Sequence, residues 1–159
     1  MASLRAQIFA RVETKLVAVK DGLGWPTFIR NPRDIVGVDQ MPAIVMIDGG
    51  DTTLGGFTDR VGEQQLEFSV GILAAEKIGA GDGETALDQL DLAFVAISDA
   101  LLDPGDIQLG GLAIDIRRGD VSDPVHGRPD KGAQYFGGQA IDFMVRYLER
   151  EGDASTPAP

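Results

Sequence analysis

The chain has 159 residues, 43% of them hydrophobic and 25% charged, with no cysteine and a formal net charge of −11. That is the size of one globular domain with its own core. The absence of cysteine excludes disulfides and thiolate metal sites, and the acidity disfavours nucleic-acid binding over most of the surface.

No apolar run reaches the roughly 18 residues of a membrane span. Arg5, Arg11, Glu13 and Lys15 interrupt any signal-like apolar core near the start, so no membrane partner is expected. Leu4, Ile8, Val12, Leu16 and Val19 recur at steps of three and four and predict a helix over 4–20, with Ser3 as its N-cap. Asp21, Gly22 and Gly24 break it. Thr27, Phe28 and Ile29 suit a short edge strand between Pro26 and Pro32, with Trp25 as an anchor over the core.

Residues 43–47 are apolar at every position, the pattern of a strand covered on both faces. Asp48, Gly49, Gly50 and Asp51 then read as a turn, and 49–62 as a long exposed loop. Residues 65–76 alternate, with Leu66, Phe68, Val70 and Ile72 on one side, which predicts a half-buried strand antiparallel to 43–47. A glycine-rich turn at 77–84 leads into a helix over 85–102.

That helix carries Leu87, Leu90, Phe94, Ile97 and Leu101 on one face, beside a polar stripe of Asp88, Asp91, Ser98 and Asp99. Its back holds Leu92, Ala93, Ala96 and Ala100, where a solvated helix would usually carry Lys, Glu or Gln. Small residues there allow another element, of this or another subunit, to come close. After Asp103 and Pro104, residues 107–116 read as a strand whose inward parity switches at Gly110 and Gly111, as a bulge would produce. Residues 117–138 read as a second polar loop, and Ile141, Phe143, Val145 and Tyr147 mark a final alternating strand. The last nine residues, 151–159, lack core formers and are expected to be a disordered tail after a single domain over 1–150. Strands in hairpin-like pairs, in the order α-β-β-α-β-β, predict an α+β fold with a mainly antiparallel sheet of four to five strands, two main helices and long polar loops.

The search for chemistry yields little. The turn at 79–84, Gly-Ala-Gly-Asp-Gly-Glu, sits where a phosphate loop would sit, but it lacks the third fingerprint glycine and any following Gly-Lys-Ser/Thr. Asp82 and Glu84 put negative charge where a phosphate would need the helix dipole, while the same carboxylates suit a helix start. Thr85 and Asp88 resemble a weakened capping box. Asp48 and Asp51, with Asp59 as a third, are candidate ligands for a hard cation, although turn chemistry explains them better. His126 is the only histidine, Ser122 has no nucleophile-elbow context, and a transition-metal site has too few ligands to be expected. No catalytic residue, cofactor or metal is therefore assigned. Arg117, Arg118, Arg128 and Lys131 form a basic patch suited to an acidic partner, such as a neighbouring copy of the chain.

The stretches LRAQIFARVETKLVAV, PAIVMIDGG, QLEFSVGILAAE, ETALDQLDLAFVAISDAL, LAIDIRRGD and GQAIDFMVRYLER, in that order, resemble the tail terminator (tail completion, head–tail joining) proteins of long-tailed bacteriophages and gene transfer agents. The resemblance spans roughly residues 4–149 and is one of pattern and order, without a short diagnostic motif. It implies a non-enzymatic virion protein, assembled in the host cytoplasm, that forms a hexameric ring on the head-proximal end of the tail tube. Its partners would be further copies of the chain, the tail tube protein and the head connector or neck proteins, with DNA passing through an acidic lumen without specific binding. The loops 49–62 and 118–138 and the helix back would make the contacts. The alternatives are a small ligand- or nucleotide/Mg-binding domain using the 79–84 turn, and another neck or minor tail protein.

Overall fold

A sixteen-residue strand, β3 (Val61–Glu76), is the centre of the architecture, and its alternation decides what lies on either side. Leu66, Phe68, Val70, Ile72 and Ala74 point to one face and are buried, as the period of two requires. The computed structural model describes residues 2–55, 60–76, 84–127 and 135–159. β3 pairs antiparallel with β2 (Ala43–Thr53) on one side and with β6 (Tyr135–Arg150) on the other. β1 (Thr27–Arg30) adds to β2 in parallel at one edge. Along the far side of β6 lie β5 (Val125–Gly127), β4 (Asp115–Val121) and β7 (Asp153–Pro157), each antiparallel to it. The result is a single α+β domain with a mainly antiparallel sheet and two helices.

Helix α1 (Leu4–Leu23) starts where Ser3 Oγ accepts from the Ala6 amide at 3.2 Å. It runs three residues past the expected end, because Gly24, at φ +69°, is the residue that turns left-handed and donates to the last carbonyls. Leu4, Ile8, Phe9, Val12 and Leu16 of α1 and Ala86, Leu90, Ala93, Ile97 and Leu101 of α2 (Glu84–Leu101) bury the inward face of the sheet. Phe68 is at the middle, stacked on Phe143 at 5.3 Å between centroids and edge-on to Phe9 at 6.5 Å. Trp25 is buried in the same core, in the anchoring role expected of it.

Four expectations need correction. The run 48–51 is a register irregularity inside β2 rather than a turn, so 49–53 and 61–62 of the expected loop are strand, while 56–59 lie outside the described residues. A Cβ at Gly49 would collide with the Glu67 backbone, so this glycine serves a close strand approach. The expected strand over 107–116 is a short 3-10 turn at Leu109–Gly111 followed by β4. Asp106 Oδ1 accepts from the Gly110 amide at 2.7 Å, and Gly110 and Gly111 take φ values of +71° and +88° that no strand uses. The apolar periodicity there records Leu109 sinking into the core from a turn.

The supposed loop 118–138 contains most of β4, all of β5 and the start of β6. Residues 128–134 of it lie outside the described residues, and the Asp120, Asp123 and Pro124 that read as loop lie in or beside exposed edge strands. The tail expected to be disordered instead turns at Gly152 and pairs back on β6 as β7. Asp153 Oδ1 accepts from the Ser155 amide and hydroxyl, and Gln7 Nε2 on α1 donates to the Ser155 carbonyl at 2.8 Å. Polar anchoring replaces the core residues that the segment lacks.

Candidate interface surfaces

The residues first suspected of chemistry are occupied by structural bonds. Asp48 on β2 accepts from Arg30 Nε at 3.0 Å and from Nη2 at 2.7 Å, a bidentate pair. Arg30 also reaches Glu13 on α1 at 3.0 Å and lies over the Phe9 ring. Burial raises the Asp48 pKa, but the bonds from Arg30 and from the Asp48 amide's neighbour Asn31 outweigh it and hold the carboxyl below its ordinary value. Asp51 pairs with Arg5 at 3.3 Å. Among the described residues, no group of three or more acidic or histidine side chains gathers around a common point. Asp59 lies outside the described residues.

Ser122 has a structural role as well. Its Oγ accepts from the Ala140 amide at 2.9 Å and its carbonyl accepts from Gln139, closing the end of β4 onto β6. The backbone of His126 belongs to β5 and pairs with Gly137. Residues 77–83 of the glycine turn, Asp82 included, lie outside the described residues. Beside them, Glu76 at the end of β3 is buried and accepts from the Ala86 amide in the first turn of α2 at 3.3 Å. A carboxylate therefore does meet the helix start, as dipole arguments favour. It comes from the preceding strand, which local sequence rules for caps do not inspect.

The proposed interface on α2 divides. Leu92 is 59% exposed, and so is much of Val95 at 49%, a residue the sequence reading passed over. Ala93 is fully buried among Leu90, Ile97 and Leu101, so it belongs to the core and not to the helix back. Steps of three and four from Leu90 already place it on the inward stripe. Ala96 and Ala100 are half-buried, and the Ala100 carbonyl accepts from Lys15 Nζ of α1 at 3.2 Å. At this end the small residues admit α1. What α2 leaves to solvent is an apolar strip, Leu92 and Val95, flanked by the exposed Asp88, Asp91 and Asp99. No Lys or Arg occurs anywhere in α2.

The basic patch does not assemble as expected. Arg117 and Arg118 are consecutive on β4 and so point to opposite faces. Arg117 pairs with Asp115 at 3.0 Å on the helix-free face, whereas the Arg118 guanidinium lies 5.2 Å from the centroid of the Phe94 ring on α2. Arg128 and Lys131 lie outside the described residues.

The helix-free face of the sheet has two halves. One is ionic: Arg146 donates to Asp115 through Nε at 2.9 Å and Nη2 at 2.6 Å, and to Glu63 at 3.0 Å. These bonds hold the Asp115 carboxyl below its ordinary value and push the Arg146 guanidinium up. Ser69 donates to Asp142 nearby. The other half is apolar, with Val45 and Leu73 near a shallow depression formed by Val125, Phe136 and Ala140. Ile47 is half exposed on the same face. Comparison of the chain with models of known protein families and with curated proteins gives no match.

Proposed function

We propose that this chain is a non-catalytic, ring-forming subunit that caps the head-proximal end of a phage-type tail tube, stops tube polymerisation and joins the tail to the head connector. The observation that carries the reading is the solvent-facing side of α2, an apolar strip rimmed only by carboxylates on a helix without a single cation. An isolated subunit gains nothing from exposing Leu92 and Val95, whereas an assembled one would cover them. The helix-free sheet face adds exposed apolar residues of its own, Ile47 and Val125, and a sheet normally buries an apolar face against another layer. The resemblance of the six sequence stretches to tail terminators supplies the identity of the assembly. In that setting, the net charge of −11 would keep DNA from adhering as it passes through the ring.

Tail assembly in the absence of this protein is the decisive experiment. Overlong tails without heads are expected, and tails of normal length joined to heads would rule the reading out. Light scattering on the purified protein, alone and with tail tubes, should give a particle of several subunits. A strict monomer inert toward tubes would have the same force against it.

A further inference from the structure

We infer that neighbouring copies join head to tail, with Ile35 of one copy seated in the groove between α2 and β4 of the next. The inference builds on the ring reading and specifies its contact. Ile35 is 97% exposed, the most exposed large apolar side chain among the described residues. It is also held in place. Asn31, at the base of its loop, donates from its amide to the Met46 carbonyl at 2.7 Å and accepts from the Asp48 amide at 2.8 Å. The adjacent Val36 is buried against Ala43 and Val45. A solvent-facing isoleucine on an anchored loop is a knob whose ordering cost is already met by the fold.

The groove has the matching character. Leu87, Leu90, Phe94, Val121 and Pro124 make it largely apolar, and Asp91 stands at its rim. Arg118, over the Phe94 ring, supplies a cation at the same place. The two residues before Ile35 are Arg33 and Asp34, both exposed. None of Arg33, Asp34, Asp91 and Arg118 makes an ion pair among the described residues, so each sign on the knob finds its opposite at the groove.

Position makes the contact intermolecular. The sheet order is β1-β2-β3-β6-β4, with the knob following β1 at one edge and the groove beside β4 at the other. One copy cannot fill its own groove. Two different surfaces at opposite edges give a heterologous contact, which closes into a ring when the rotation per copy permits.

The test uses the full chain and light scattering across a concentration series. Ile35→Glu should weaken self-association ~30-fold, as expected for loss of a central anchor, while the thermal melt of the monomer stays unchanged. Asp91→Arg should weaken it too, and Arg33→Glu in the same chain should restore part of the loss. Mixing the Ile35→Glu chain with the Asp91→Arg chain should give one-to-one pairs and nothing larger, since one intact knob and one intact groove remain. A wild-type oligomer that Ile35→Glu leaves intact would overturn this contact and leave the ring reading standing. A wild-type chain that is monomeric at every concentration and on tail tubes would overturn both.

Discussion

The two faces of the sheet are made by the same strands and have opposite tasks. Inward residues of β3 and β6, such as Phe68 and Phe143, are sealed beneath two helices with no polar partner to satisfy. Outward residues of the same strands, such as Glu63 and Arg146, neutralise one another in the open, and beyond them the face turns apolar. Strand alternation lets one backbone hold both arrangements, so fold stability and surface recognition can change almost independently. The inward face should be sensitive to volume, the outward face to pH and salt, and the helix back to neither.

Phe68→Ala tests the first claim most severely. It empties the centre of the aromatic stack and should cost about 3–5 kcal/mol, read from denaturant unfolding. A loss as small as that of a surface substitution would break the contrast between the faces. Glu76→Ala removes the buried acceptor of the Ala86 amide and should cost about 1 kcal/mol, in line with other lost helix caps. The same unfolding curve reports it.

The ionic half should reveal itself through acid. The Asp115 carboxyl lies below its ordinary value of 3.8, as do those of Asp48 and Asp106, which pair instead with cations beside and on α1. A depressed carboxyl stabilises the fold above its unfolded pKa, and that contribution is lost as pH falls through the folded value. Stability should therefore be level near neutrality and decline below about pH 4. Arg146→Met should lower the urea midpoint at neutral pH, with the gap to wild type closing in acid. A gap independent of pH would mean that Arg146 matters through packing alone. Smallest of all, Leu92→Lys should leave monomer stability within about 0.5 kcal/mol while weakening self-association. Outright unfolding would show that Leu92 is core.

The inward face was legible from the sequence because burial imposes a period: two on β3 and β6, and three to four on the helices. That period also misled at 107–116, where a turn with left-handed glycines buries Leu109 without any strand. Edge strands β4, β5 and β7 were hidden because exposure relaxes the pattern, leaving composition that reads as loop. Of the residues expected on the helix back, Leu92 is exposed as its position suggested, whereas Ala93 is core, although its spacing from Leu90 was informative. The Arg30–Asp48 pair, the Glu76 cap and the Ile35 loop depend on contacts between residues far apart in the chain, or on exposure within a loop, which no local pattern encodes.

β6 is bonded along its length to β3 on one side and to β5, β4 and β7 in succession on the other. On a growing chain, both helices and the first five strands emerge before it and have no completed sheet to join. Their apolar faces must wait for residues 135–150, and the pairing of Val61 with Arg150 spans most of the domain. Folding should therefore be slow for a chain of this size and dependent on protection during synthesis, since β3, with only β2 as a neighbour until then, exposes its other long edge to nascent chains.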